Sequence, residues 1–415
     1  MKELNETFLE LVQKEEELNE AYHDLTALSA VSYQGTAKPL NEWMTSESDE
    51  VRDGASAAYI REYHEPLGQL YLELLKVRHQ IALSMGYKNY LSYAYKARYY
   101  RDYSSDRANE FFERVQTHLI PVLRALYEQN PKLHHIALPA SLREDPVGHL
   151  ALAAKEMGGG IWEAYRFMEA YGLCDAASSP AKRREGLTTY IGEYEAPLIF
   201  VNPALYGDGL TVSHEFGHFV DAYLNYAKGG HLEIDEAFST AMEYLAVAYD
   251  PSLDPEERAA CLRTVLISKV LRYIGERCAY ADFEAQVYTR NPEELTLDEL
   301  DDMYYQCRQV YGLLDRYPEE AERGSWVAMR HFFAYPEYFI AYPIANIVSL
   351  QIIRLETSDP GAGLEAFYRL LGRSPWAGVE TIARNAKLQS PFASDTLQQI
   401  AEFLWEALEL PREEE

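Results

Sequence analysis

Apolar residues recur every three or four positions through much of the chain, which is the spacing of one face of a helix. The first such stretch contains Leu4, Phe8, Leu11, Val12, Leu18, Tyr22 and Leu25. The same pattern runs over residues 51–85 and 105–129. We expect Pro66 to kink or break the helix over residues 51–85, and Pro121 to do the same over residues 105–129. The sequence YQGTAKP, residues 33–39, is predicted to be a loop that ends the first helix.

One stretch has the composition of a strand. Residues 187–202, LTTYIGEYEAPLIFVN, are rich in β-branched and aromatic residues, and Pro197 fits an edge strand better than a central one. An edge strand facing a cleft offers backbone groups with which an extended peptide could pair. An ordinary small sheet beside a helical core fits the same residues equally well.

The fold is therefore predicted to be mainly α-helical with a small β-sheet. The clearest breaks in the pattern are MGGG, residues 157–160, and DAASSPAKRREG, residues 175–186. They suggest an N-terminal helical part, residues 1–180, and a second helical part with the sheet, residues 181–415, unless the two form one continuous domain.

Two more helices and a helix start are predicted towards the C-terminus. Residues 233–249 place Ala237, Met242, Leu245 and Ala246 at periodic buried positions. The most apolar run, residues 338–353, is interrupted by Pro343, Asn346 and Gln351. This run is too short to span a membrane and is predicted to be a buried helix. Thr296 and Glu299 have the spacing of a capping box.

The net charge of the chain limits the classes of partner that it is expected to bind. With 38 basic and 66 acidic residues, the formal net charge is −28. Such a surface repels phosphate backbones and anionic membranes, so we expect neither nucleic acid nor a membrane as a partner. Basic peptides would be attracted, although an acidic surplus equally serves solubility.

The four cysteines, Cys174, Cys261, Cys278 and Cys307, are widely spaced. This spacing indicates neither a disulfide framework nor a cysteine zinc site. The sequence MKELNETFLELVQKEEE is acidic and amphipathic, unlike a signal peptide. A reducing, cytoplasmic location is therefore expected.

The segment TVSHEFGHFVDAY, residues 211–223, carries the most specific chemistry. On a helix, His214 and His218 are four residues apart and share one face, so their rings could bind one metal ion. Glu215, one step round the helix, could take a proton from a zinc-bound water. A solvated helix with this spacing by chance is the alternative.

Catalytic zinc usually has three protein ligands, and Glu236 is the candidate for the third. A loop containing Gly229 and Gly230 would allow residues 233–249 to fold back against the His pair. Glu243 could accept the free ring N–H of a ligand His. Alternatively, Glu236 is a carboxylate favoured near a helix N-terminus and Glu243 is solvated. His231 is a weaker rival ligand.

These residues resemble the thimet oligopeptidase and oligoendopeptidase F group of zinc metallopeptidases. The similar segments are GDGLTVSHEFGH (207–218), DEAFSTAME (235–243), YEAPLIFVN (194–202) and HFFAYPEYFIAY (331–342). The resemblance implies a helical zincin-like metallopeptidase with a small β-sheet lining a substrate cleft. It also implies one Zn²⁺ per chain, held by His214, His218 and Glu236, with oligopeptides as substrates.

The resemblance further implies that His331, Tyr338 and Tyr342 face the metal and stabilise the tetrahedral intermediate. Amide hydrolysis builds an oxyanion that benefits from such donors, although in a chain with 33 tyrosines a buried structural role is the ordinary explanation. Two positions depart from the family pattern. Ile340 replaces a frequent tyrosine, and Asp221 replaces a further, non-ligand histidine.

The sequence thus predicts zinc-dependent hydrolysis of short oligopeptides, with Glu215 as the general base. Relatives have a longer N-terminal region over the substrate channel, so either an open cleft or a dimer is expected. Two alternatives stay open for the metal centre: a zinc-binding, peptide-binding protein without turnover, and a metallocarboxypeptidase. A helical scaffold without metal is a third.

Overall fold

The computed structural model of the protein describes residues 6–27, 29–133, 140–177, 179, 182, 186–202, 210–225 and 230–412. The chain forms two units, each built from two segments: Met1–Phe112 with Gly275–Ile340, and Glu113–Ile274 with Ala341–Glu415. Helices dominate both units, which confirms the mainly α fold class with a small β-sheet. The units interleave along the chain and do not divide near residue 180, because helices distant in sequence pack together within each unit.

The first unit contains eight of the α-helices among the described residues: Glu6–Ala27, Leu40–Met44, Asp49–Ser84, Tyr90–Tyr93, Arg277–Val287, Leu297–Val310, Glu319–Arg323 and Arg330–Ala334. It also has a π-helical turn at Ala94–Arg98 and a 3₁₀ turn at Ser325–Ala328. Pro66 lies inside its helix and does not break it. Because proline has no N–H, the carbonyl of Glu62 loses its helical hydrogen-bond partner. Both Glu62 and Pro66 are exposed, so water can hydrate that carbonyl.

The segment predicted to be a loop after the first helix is a β-hairpin. Strand β1 (Ala30–Tyr33) pairs antiparallel with strand β2 (Thr36–Pro39). Gln34 and Gly35 connect them with positive φ angles of 50° and 75°. Two such residues form the tight turn whose twist matches that of paired strands. The loop prediction was wrong because the Gln-Gly pair was not recognised as a hairpin turn.

A buried arginine fixes the segment that carries His331. Arg78 is fully buried, and its Nε donates to Glu15 Oε1 at 2.7 Å. Its Nη1 donates to the Phe332 carbonyl at 2.9 Å, and its Nη2 donates to the Phe333 carbonyl. The charged group therefore has an acidic partner and also ties down the short helix Arg330–Ala334.

The second unit contains the α-helices Ile120–Gln129, Ala140–Glu144, Pro146–Met157, Gly159–Ala170, Leu210–Asn225, Leu232–Ala248, Pro255–Ser268, Ala341–Ser358, Ala362–Leu371, Val379–Asn385 and Ser394–Ala407. The helix Ser105–His118 and the π-helix Lys269–Glu276 each begin in one unit and end in the other. The helix Ala341–Ser358 is almost wholly buried and packs on Leu232–Ala248. No described helix is both long and apolar enough to cross a membrane.

The sheet of the second unit has the strand order β3-β5-β4, formed by Cys174–Asp175, Ala196–Val201 and Gly186–Ile191. Residues 187–202 are thus a hairpin and not one strand, and Pro197 lies in the central strand β5. Ile199 N donates to Leu173 O on the β3 side. The backbone nitrogen of Pro197, two residues earlier, points to the same side, but at a position that β3 does not reach. The N–H that proline lacks would therefore have had no partner in β3.

Several local predictions are confirmed. Helix Ser105–His118 ends before Pro121, and a new helix begins at Ile120. Thr296 and Glu299 form both hydrogen bonds of the capping box, at 2.9 and 3.3 Å. The run at 338–353 is a buried helix from Ala341 onwards. Separately from these predictions, the four cysteines are free thiols, and three of them are buried.

Candidate metal centre

Two helices carry the predicted metal ligands: the histidine helix, Leu210–Asn225, and the glutamate helix, Leu232–Ala248. Of the loop predicted between them, Gly229 lies outside the described residues, whereas Gly230 and His231 directly precede the glutamate helix, which begins at Leu232. The helices cross closely at Gly217. A Cβ atom there would lie 2.5 Å from Ser239 Cα and 2.6 Å from the Phe238 carbonyl oxygen. Only glycine permits this approach, so Gly217 sets the distance between the two helices.

The crossing brings three ligand groups together. Glu236 Oε2 lies 3.6 Å from His214 Nε2 and 3.6 Å from His218 Nε2. The donor atoms of the three residues all lie within 4.8 Å of one another, and the described residues contain no other group of this kind. Tetrahedral zinc bound at about 2.1 Å holds its donors about 3.4 Å apart. Two imidazoles and one carboxylate at this spacing fit zinc and leave a fourth position for water or substrate.

A buried network orients His214 from behind. Its Nδ1 lies 2.8 Å from Glu243 Oε1, which leaves Nε2 free to face the ligand cluster. Glu243 also accepts hydrogen bonds from Tyr273 Oη at 2.8 Å and from Lys269 Nζ at 3.2 Å. The sequence pattern predicted the Glu243 contact but missed Tyr273 and Lys269. A lysine inside an apolar helical run was the available signal, because a fully buried ammonium group requires an acidic partner.

The cluster concentrates negative charge. Burial opposes the charged form of His214, but hydrogen bonds to Glu236 and Glu243 outweigh it and raise the pKa of His214 to about 10. Burial would raise the pKa of Glu236, yet His218 and His214 hold it well below its usual range. Lys269 and His214 likewise lower the pKa of Glu243 to about 2, against burial. The two carboxylates therefore hold negative charge in a buried place, and a cation bound there would replace the proton of His214, which must be neutral to act as a ligand.

Glu215 is buried and held from the sheet side. Thr188 Oγ1 on β4 lies 2.8 Å from Glu215 Oε2 and 2.8 Å from the Glu215 backbone oxygen. On the same strand, a Cβ atom at Gly186 would lie 2.9 Å from Glu215 Oε1. The edge strand β4 therefore packs directly on the predicted general base. No feature of the sequence indicates Thr188, because the contact depends on how the strand packs.

The sequence matches no known protein-family model and no curated protein. The structure, however, closely matches solved peptidase structures. It superposes on PZ peptidase A, solved with an inhibitor, with a TM-score of 0.86 at 23% identity, over 98% of this chain and 77% of that one. For a Bacillus anthracis protein assigned as oligoendopeptidase F, the TM-score is 0.79 at 23% identity, over 98% and 76%. The chain has the oligoendopeptidase F fold.

A more distant example of the oligoendopeptidase F fold, from Enterococcus faecium, matches with a TM-score of 0.62 at 15% identity. The match covers 96% of this chain and 71% of that one. The resemblance noted in short motifs thus extends to the whole fold, even though the identity between the sequences is low. Sequence identities at this level establish the fold, while the ligand set and the reaction stay predictions.

Within this fold, Tyr342 lies in the same unit as the ligand cluster. It is the second residue of the helix Ala341–Ser358 and is partly exposed. Its ring centroid lies 6.1 Å from that of Tyr273, whose hydroxyl contacts Glu243. Tyr342 is therefore close to the network behind His214.

His331 and Tyr338 lie together in the first unit. His331 is in the helix Arg330–Ala334 and stacks on Phe339 with 4.9 Å between ring centroids, and Tyr338 is 5.9 Å away. The helix predicted over residues 338–353 begins only at Ala341, so Tyr338 and Tyr342 do not share a helix. Glu337, just before Tyr338, has a φ of 65°, which is incompatible with a continuous right-handed helix.

Glu337 belongs to a buried acid pair that sequence reasoning missed. Its backbone N–H donates to Glu284 Oε1 at 2.9 Å, and its carbonyl accepts from Arg101 Nη2 at 2.6 Å. Burial raises the pKa of Glu337 to about 8. Burial and the neighbouring Glu337 carboxylate also raise the pKa of Glu284 well above its usual range. The pair holds a proton at neutral pH and fixes the turn that precedes Tyr338.

Proposed function

We propose that the protein is a zinc-dependent peptidase that hydrolyses peptide bonds within short oligopeptides. The convergence of His214, His218 and Glu236, with the buried Glu215 next to His214, is the observation that carries this proposal. The likeness to PZ peptidase A and to proteins assigned as oligoendopeptidase F supports it. We propose one zinc ion per chain, and the scattered free cysteines support a reducing, cytoplasmic location.

Zinc held by these three residues would polarise the scissile carbonyl and acidify a water molecule. Glu215 takes the proton of the attacking water and then delivers it to the leaving amine. Thr188 keeps the Glu215 carboxylate in one orientation for both transfers. Tyr342 would supply a hydrogen-bond donor to the developing oxyanion, and the resemblance adds Tyr338 and His331 as candidates for the same role.

The sheet offers a way to bind peptides of varied sequence. Strand β4 is the last strand of its sheet among the described residues, so the backbone groups on its outer side have no strand partner there. An extended peptide that pairs with β4 would lie beside Glu215, because Thr188 of β4 contacts Glu215. Backbone pairing is largely indifferent to side chains, which suits a peptidase of broad specificity.

The test is cleavage of a mixed set of internally quenched oligopeptides by zinc-loaded protein. We expect internal cuts by the wild type and a loss of nearly all turnover in Glu215→Gln, which keeps the side-chain volume and the zinc. Mass spectrometry of the products separates internal cleavage from terminal trimming. Trimming alone would indicate a carboxypeptidase, and zinc-bound wild type without any cleavage would indicate a peptide-binding protein.

A further inference from the structure

The histidine and glutamate helices are joined at a second point, by an arginine from a third segment. Arg373 follows the helix Ala362–Leu371. Its Nη1 lies 2.6 Å from Asp221 Oδ1, and its Nη2 lies 2.9 Å from Asp221 Oδ2. The same Nη2 lies 2.9 Å from Asp235 Oδ1. Asp221 is three residues after His218, and Asp235 immediately precedes Glu236, so each acid lies within one helical turn of a proposed ligand.

This arginine is buried and held on several sides. Its side chain is 4% exposed, and its guanidinium carbon lies 4.7 Å from the Phe238 ring centroid. Asn225 strengthens the junction, because its Nδ2 donates to Asp221 Oδ1 at 2.8 Å and to the Leu371 carbonyl at 3.1 Å. A guanidinium that contacts one carboxylate with two nitrogens has a fixed orientation, unlike an ammonium group.

We propose that Arg373 is a positioning residue of the metal centre. By holding Asp221 and Asp235 together, it fixes the spacing between His218 on one helix and Glu236 on the other. Arg373 acts on the proposed ligands through the two acids that it contacts. The inference rests on the metal centre of the proposed function but not on hydrolysis.

The pairing also gives Asp221 a role. Asp221 is the position at which the motif departs from the resembling family, and the sequence offered no reason for the change. In the structure, Asp221 is the acid that receives the two-nitrogen contact of Arg373. Asp235 is an alternative zinc ligand by its position, and its contact with Arg373 keeps one of its oxygens engaged elsewhere.

A positioning role and a purely electrostatic role of Arg373 predict opposite changes in zinc affinity when the residue is replaced. Arg373 is a cation near a site for a divalent cation, so removing it would strengthen zinc binding if charge alone mattered. If Arg373 positions the ligands, removing it weakens zinc binding. Arg373→Lys separates the two effects further, because lysine keeps the positive charge but lacks the planar guanidinium group that contacts both acids.

The experiment measures the zinc affinity of the apo protein by competition with a chromophoric chelator. We expect Arg373→Met to bind zinc at least about tenfold more weakly than the wild type. Losses of this size are typical when a residue that orients metal ligands is removed. Arg373→Lys should fall between the two. The matched control is Arg369→Met, because Arg369 pairs with Glu365 inside its own helix and should leave the affinity unchanged.

Circular dichroism and thermal melting without zinc establish that each variant is folded. Unchanged or tighter zinc binding by folded Arg373→Met would overturn the inference. If Arg373→Met does not fold, Arg373→Lys decides, with weaker binding in support and wild-type affinity against. A wild type that binds no zinc would contradict the metal centre itself, and hence the proposed function as well. Wild-type binding with unaffected variants would contradict only the role of Arg373.

Discussion

Thr188 Oγ1 lies 2.8 Å from Glu215 Oε2, and this contact joins the edge strand β4 to the histidine helix. It gives the proposed general base a fixed orientation. We expect Thr188→Val, which keeps the shape and removes the hydroxyl, to lower kcat by about tenfold. Zinc affinity should stay unchanged, because Thr188 forms its hydrogen bonds with Glu215, which is not a proposed ligand. Steady-state kinetics on a quenched peptide and a zinc titration provide the two measurements.

Thr189→Val on the same strand is the control for this prediction. Thr189 is exposed, so its substitution should change neither kcat nor zinc affinity. Equal kcat values for the two valine variants would contradict the role given to Thr188.

Gly217 determines how closely the ligand-bearing helices approach. An added methyl group would meet the backbone at Ser239 and Phe238, which cannot move aside as a flexible side chain could. We expect Gly217→Ala to lower the free energy of unfolding by about 1–3 kcal/mol and to weaken zinc binding. Gly192→Ala is the control, because a Cβ atom there meets nothing within 4 Å. Denaturant titrations compare the variants, and wild-type stability of Gly217→Ala would contradict the close crossing.

The buried Glu284–Glu337 pair predicts a pH dependence of stability. The pKa of Glu337 is raised to about 8 in the folded protein and returns to about 4.3 in the unfolded chain. Between these values the folded state holds a proton that the unfolded state has released. The free energy of unfolding should therefore fall as pH rises towards 8, by at most about 1.4 kcal/mol per pH unit for this one group, and then level off.

Glu337→Gln tests the origin of that slope, since the amide is neutral at every pH. We expect a shallower decrease of the free energy of unfolding between about pH 5 and pH 8 in this variant. Urea titrations across that range give the measurement. Glu320→Gln, an exposed substitution in the same unit, should keep the wild-type slope. An identical slope in Glu337→Gln and wild type would rule out Glu337 as its source.

Tyr342 is the stronger of the two tyrosine candidates, because it lies beside the network behind His214. We expect Tyr342→Phe to lower kcat by about tenfold or more with little effect on zinc affinity, since a donor to the oxyanion acts only in the transition state. Tyr338→Phe is measured beside it. A neutral Tyr342→Phe together with an impaired Tyr338→Phe would transfer the role to Tyr338.

The local parts of the site could be predicted because they depend on helical periodicity. His214 and His218 share a helix face by spacing alone, and the contact between His214 and Glu243 required only that two adjacent helices be antiparallel. The capping box of Thr296 and Glu299 is equally local. Such features follow from the geometry of a single helix or of two consecutive helices.

The remaining features depend on packing between distant segments, and spacing along the chain carries no information about it. Arg373 is 152 residues from Asp221 and 138 from Asp235. Lys269 and Tyr273 reach Glu243 from a π-helix that periodicity did not indicate. The hairpin turn at Gln34 and Gly35 was missed because it depends on an unusual backbone conformation with positive φ angles. The interleaved units were missed because they depend on the tertiary fold.

The proposed binding of zinc by His214, His218 and Glu236 can be tested without any reaction by anomalous diffraction from zinc-loaded crystals. Data collected on either side of the zinc absorption edge locate the ion without reference to any reaction. We predict one anomalous peak per chain within coordination distance of His214 Nε2, His218 Nε2 and Glu236. A fully zinc-loaded protein with no peak there, or with its peak at His231 or Asp235 instead, would contradict this ligand assignment.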